Sequence, residues 1–217
     1  VSTNPPESAV IAETRLRHKM HRAATALLAD AAQRDTTPPE ALGELRDFLV
    51  AALRHRHESE DDVLWPRLIA ADPVAGAGLT GLGAEHEALD EALDALAVAP
   101  VREGEDRKAP AAAAATVRDL VHQHLEHEEP VLFPALAAHM PDEAWAEFSR
   151  AVIASAPPVG GHLDIGFFEE VGTPAELEAV TANLPQAVLP LVPAMREQAL
   201  ATLSSLRATY DARTVTA

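Results

Sequence analysis

The sequence predicts an all-α protein: a four-helix bundle with a helical C-terminal extension. Three observations carry that expectation. Alanine and leucine dominate, glycine is limited to 10 of 217 residues and aromatics make up 4%, which favours helices around a core of Ala, Leu and Val. Apolar residues recur at helical spacing through several long stretches. The chain also repeats itself. His18 precedes Pro66 by 48 positions, as His86 precedes Pro134. A shift of 68 places His18 on His86, Leu28 on Leu96, Glu60 on Glu128, Leu64 on Leu132 and Leu68 on Leu136 without a gap. Two copies of a unit that long make a duplicated helical hairpin, not a solenoid.

Residues 1–8 are polar and Pro-containing and read as a loose tail. Residues 9–32 form the first helix, with Leu16, Leu27 and Leu28 on its apolar side. The run Asp35-Thr36-Thr37-Pro38-Pro39 interrupts the pattern, and Thr37, Pro38 and Glu40 together open a second helix. That helix is expected to run to about Ala70 with a kink at Pro66. Residues 72–83 are Gly-rich and read as irregular. A third helix covers 84–98, residues 100–110 form a charged loop, and a fourth helix opens within 111–115 and ends near His139.

The bundle thus occupies 9–140 and the extension 141–217. Within the extension, Pro141-Asp142-Glu143 starts a helix to about Ser155, and Pro157-Pro158-Val159-Gly160-Gly161 breaks it. Thr173-Pro174-Ala175-Glu176 is a capping box with Pro at the first helical position, starting a short helix to about Asn183. A last helix begins at Gln186 or later, after interference from Pro190 and Pro193, and runs to Asp211.

Composition narrows the function. A net charge of −17 argues against nucleic acid and anionic membranes as partners. No cysteine is present, which excludes disulfides, thiolate metal sites and cysteine nucleophiles. The most apolar late stretch, residues 184–195, contains three prolines and is too short to span a bilayer. No basic-then-apolar pattern marks residues 1–8, so no signal peptide is expected and a cytoplasmic protein is the default. No Ser, His and Asp arrangement suggests a nucleophile. Gly160-Gly161 and Gly76-x-Gly78 follow no strand, so neither reads as a phosphate loop.

The chemistry lies in histidines and carboxylates at helical spacing. His124 and Glu128, four apart, share a helix face and can bind one metal together. Imidazole with carboxylate suits iron, manganese or zinc. Carboxylates can also bridge two ions between facing helices of a bundle. In the first copy the position matching His124 is Arg56, which cannot ligate metal. The flanking His55 and His57 are both available there; His57 is favoured, with Glu60 three residues on as the favoured bridging carboxylate and Asp61 four residues on as its alternate. His86 stands at the end of an apolar stripe formed by Leu89, Leu93 and Leu96 and looks into the bundle. His18 and His21 share a face. The repeat selects His18, while Leu27 and Leu28 following His21 keep it in contention. His122, His127, His139 and His162 have no matched partner and read as surface, supporting or structural groups.

The motif His18 or His21, His57 with Glu60 or Asp61 before Leu64-Trp65-Pro66, His86, and His124 with Glu128 before Leu132-Phe133-Pro134 resembles the hemerythrin-like family of HHE cation-binding domains. The resemblance covers residues 10–140 and departs from the family at Arg56. It implies an up-down-up-down bundle holding two iron ions with an oxo or hydroxo bridge, with Mn or Zn as lesser alternatives. It also implies a small-molecule reactant, either O₂, peroxide or nitric oxide, and no catalytic group apart from the ligands. Oxygen-storing members carry a further histidine four residues after the third-helix ligand, where this chain has Asp90. Fewer imidazoles and more carboxylate shift the expectation from oxygen carriage to peroxide or nitric oxide turnover in a stress role. The alternatives are a non-catalytic sensor signalling through the C-terminal helices to a protein partner, and a plain bundle with a polar core.

Overall fold

The computed structural model describes residues 8–104 and 106–208. The described residues form ten α-helices and no strand: α1 (Ala9–Ala32), α2 (Pro39–Ser59), α3 (Trp65–Ala71), α4 (Pro73–Thr80), α5 (Gly83–Val98), α6 (Lys108–His139), α7 (Asp142–Ser155), α8 (Gly161–Val171), α9 (Pro174–Ala182) and α10 (Val192–Arg207). Most of the expected N-terminal tail and the expected end of the last helix at Asp211 lie outside these residues.

Four helices close a ring: α1 packs on α2 and α6, and α5 packs on the same two. Their inward faces supply Leu16, Met20, Leu28, Leu45, Leu49, Leu53, Leu89, Leu93, Leu96, Val117, Val121 and Leu125 to one core. Each such side chain contributes roughly 1.5–3 kcal/mol when fully buried. A second cluster of Leu64, Trp65, Leu68, Leu79, Leu132 and Leu136 lies beyond it, built from α3, α4 and α6.

Several local expectations need correction. The second helix continues to Ala71, close to the expected end near Ala70, but not as one regular α-helix. It passes through one π-helical turn, Glu60–Leu64, and α3 restarts at Trp65 with Pro66 in its first turn. The Trp65 N–H just before the proline bonds to the Glu60 carbonyl across the π-helical turn. Residues 72–83 are not irregular, since α4 occupies Pro73–Thr80. Its glycines serve close approach: a Cβ on Gly76 would lie 2.7 Å from the Ile69 Cα, and one on Gly78 would lie 2.8 Å from a Val131 methyl. Gly161–Val171, where no element was expected, forms α8, which buries Leu163, Phe167 and Phe168. The last helix starts at Val192, within the expected range of Gln186 or later, after a 3₁₀ turn over Leu189–Leu191 that absorbs Pro190.

The extension is packed against the bundle. Leu163, Phe167, Phe168, Val180, Leu203 and Leu206 join the same core as the bundle helices, and the Phe48 and Phe167 rings stack at 6.5 Å. Gly160 caps α8 at φ +64°, and a Cβ there would lie 2.7 Å from that of Phe48. The capping box of α9 forms reciprocally between Thr173 and Glu176, and Lys19 of α1 donates to Glu176 at 2.8 Å. Glu13 of α1 accepts from Ser149 of α7 at 2.8 Å and from Asn183 at the end of α9.

Candidate metal centre

Glu60, His86 and His124, from the π-helical turn after α2, from α5 and from α6, are all buried, and each turns one donor atom to within 4.8 Å of the others'. The Nε2 atoms of His86 and His124 are 3.2 Å apart. Glu60 Oε2 lies 3.7 Å from His86 Nε2, and Glu128 Oε2 lies 3.7 Å from His124 Nε2. Behind the rings stand carboxylates. His86 Nδ1 lies 3.0 Å from Asp61, and His124 Nδ1 lies 2.9 Å from Glu85. An ionised carboxylate only accepts, so each Nδ1 carries the proton and each Nε2 presents a lone pair. Two lone pairs facing each other at 3.2 Å repel unless a cation lies between them. Donors about 2.1 Å from a shared metal ion have mutual spacings of about 3.0–3.4 Å, so the imidazole pair fits such an ion. Burial pulls His124 down to about 4 even against the pull of Glu128, so a neutral ring is available to a metal at neutral pH.

His57 stands beside this cluster. Its ring stacks on that of His86 at 4.3 Å, its Nδ1 lies 3.0 Å from Asp90, and its Nε2 is buried without a hydrogen-bond partner among the described residues. Burial, aided by the surrounding rings and Arg56, pushes it down to about 2. The structure therefore places His57 against the second half of the repeat, away from the His18 side with which sequence spacing grouped it.

The two halves have matching surroundings, crossed between copies. His86 has Asp61 on its Nδ1 and Trp65 stacked on its ring at 4.4 Å. His18 has Glu129 on its Nδ1 at 2.9 Å and Phe133 stacked at 5.6 Å. Asp61 and Trp65 are the 68-residue counterparts of Glu129 and Phe133. Among the inner positions, His18 with His86 and Glu60 with Glu128 correspond, and one pair does not. Opposite His124 the first half has Arg56, whose Nε donates to Glu60 Oε1 at 2.8 Å. Its Nη2 donates to Glu128 Oε2 and, at 3.0 Å, to His18 Nε2. Burial opposes the guanidinium charge, but Glu128 and Glu60 hold it protonated more firmly than usual. Burial likewise opposes ionised Glu128, yet Arg56 and the neighbouring imidazoles hold it down to about 2. For Glu60 burial wins, and its carboxyl is raised well above the ordinary range.

Of the other sequence candidates, His21 is fully buried and neither ring nitrogen has a partner among the described residues. Asp61 is turned outward behind His86 and takes no place in the donor cluster. His122, His127, His139 and His162 contact the Arg22 carbonyl, Glu85, Asp72 and Glu44 respectively. Sequence reasoning missed the supporting roles of Asp61, Glu85, Asp90 and Glu129, and the engagement of Arg56 with both inner carboxylates. The 68-residue shift held part of that signal, since it also pairs Asp61 with Glu129 and Trp65 with Phe133.

A cavity of about 220 Å³ lies between α1 and α2 on one side and α7 and α8 on the other. Its walls are mainly apolar, with Phe48, Ala52, Val152, Ile165 and Phe168, and they include His18, Arg56 and Glu60.

A helical bundle presenting buried imidazoles and carboxylates around one point is a cation-binding domain of the four-helix class. The chain belongs to the hemerythrin family: the model for the hemerythrin HHE cation binding domain matches residues 9–136. Comparison with curated proteins and comparison with solved structures each returned no match. No helix among the described residues is long and apolar enough to cross a membrane.

Proposed function

We propose that this chain is an iron-dependent redox protein whose buried centre reacts with hydrogen peroxide, nitric oxide or O₂. The carrying observation is the pair of inward Nε2 atoms of His86 and His124, 3.2 Å apart and flanked by Glu60. Iron bound there would supply open coordination positions and a change of oxidation state. The chain's own residues prepare the place. Asp61 and Glu85 fix the tautomers of His86 and His124, and the stacked Trp65 shields the outer face of His86. Glu128 brings negative charge to the buried interior, Arg56 offsets part of it, and Glu60 adds a further oxygen beside His86.

The test is anaerobic iron(II) loading of the full chain, followed by metal analysis, thermal unfolding with and without chelator, and a peroxide-consumption assay. Retained iron is expected, with chelation lowering the melting temperature. A ligand present at 100 times its dissociation constant stabilises by about 2.7 kcal/mol. His124→Ala should lose the iron and the chelator sensitivity together. A chain that retains no metal under any loading condition would sink the proposal.

A second reading is a non-catalytic sensor. It is favoured by the cavity, whose walls join the extension helices α7 and α8 to His18, Arg56 and Glu60. Turnover separates the two, since a sensor binds its reactant without consuming it.

A further inference from the structure

We propose that the centre holds one metal ion and not two, with the guanidinium of Arg56 standing in the place of the second. This deepens the iron-centre reading and rests on it.

The argument is one of internal symmetry. Each half of the repeat brings a histidine with its Nδ1 on an outer carboxylate and its ring on an aromatic: His86 with Asp61 and Trp65, His18 with Glu129 and Phe133. Each half also contributes an inner carboxylate, Glu60 or Glu128. In the second half the remaining position is His124, and a donor cluster open to a cation results. In the first half it is Arg56, and the cluster is closed. The Nη2 of Arg56 reaches both His18 Nε2 and Glu128 Oε2, the two atoms a second ion would need.

Glu60 makes the substitution explicit. One oxygen accepts from Arg56 Nε at 2.8 Å, while the other is buried, has no hydrogen-bond partner among the described residues and faces His86 Nε2 at 3.7 Å. The carboxylate thus spans a guanidinium on one side and an open cation position on the other. Arginine remains charged in proteins and has no lone pair to offer a metal. A divalent ion beside it would meet a like charge in a buried setting. Its planar fork suits two carboxylates better than the ammonium of lysine would.

The experiment is manganese(II) titration of the metal-free full chain, wild type and Arg56→His, read by metal-to-protein ratio and electron paramagnetic resonance, with unfolding curves for both. The wild type should take about one ion per chain and give the signal of isolated manganese(II). Arg56→His should take about two and give an exchange-coupled signal. Two coupled ions in the wild type would overturn the proposal, since Arg56 would have to leave and His21, with both nitrogens unpartnered, could supply the missing imidazole. One ion in both folded proteins would also overturn the role given to Arg56. If Arg56→His does not fold, the wild-type ratio decides alone. No bound ion in either protein, under manganese or iron, would instead refute the metal-centre reading itself.

Discussion

At the scale of single residues, the centre is held as much by outer carboxylates as by the inner donors. Asp61 touches no other inner donor, yet it sets which nitrogen of His86 carries the proton. Removing such an outer partner typically lowers metal affinity about 10–100-fold. Asp61→Asn should therefore weaken metal binding by that order with little change in folding, as a metal-competition titration beside an unfolding curve would record. An unchanged affinity would mean that the His86 tautomer is fixed by something else. Arg56 shows the reverse relation: a residue that cannot ligate contacts three of the groups around the centre.

At the scale of elements, the fold depends on buried polar joints between helices. Glu13 ties α1 to Ser149 of α7 and to Asn183 after α9, and burial raises its pKa despite those bonds. The sign follows from linkage. Below the ordinary carboxylate range Glu13 is protonated in both the folded and unfolded states. As pH rises, the unfolded chain ionises first, so stability from this group falls until the folded Glu13 ionises at its raised value. Glu13→Gln should flatten that part of the stability-against-pH curve, measured by urea unfolding from pH 4 upward. An identical slope in the variant would show that Glu13 does not carry it. The π-helical turn at Glu60–Leu64 is a second element-level device. It inserts an extra residue at the point where Glu60 leaves the α2 ladder and meets His86.

At the scale of the whole molecule, the extension both completes the core and walls the cavity. Val152 of α7 lines that cavity opposite His18, Arg56 and Glu60. If the reactant reaches the centre this way, Val152→Trp should slow its reaction and leave the metal content of the loaded protein unchanged. Stopped-flow absorbance would read the first and metal analysis the second. An unchanged rate would place the approach elsewhere. The net charge of −17 suits this picture of a small-molecule reactant better than a nucleic-acid partner.

Much was legible in the chain alone. Helix periodicity and breakers located α1, α5, α7 and α9 closely, because those signals act within a few residues. The ungapped repeat singled out His18, Glu60, His86 and Glu128, because the same spacing on equivalent helices repeats the same inward faces, and the four-residue spacing to Glu128 singled out His124. Tertiary structure decided the rest. The glycines of α4 read as breakers in sequence and prove to be contact points, since only a neighbouring helix distinguishes the two. His57 joined the opposite half because α2 packs on α5 and sets it against His86 and Asp90, and Asp61 turned outward within the π-helical turn between α2 and α3, which changes the register that regular spacing assumes. The meaning of Arg56 was also tertiary. Sequence shows a missing ligand, but only the packing of α1, α2 and α6 brings one guanidinium against His18, Glu60 and Glu128 together. Periodicity specifies which face a residue lies on, whereas charge pairing in a buried interior depends on which faces meet.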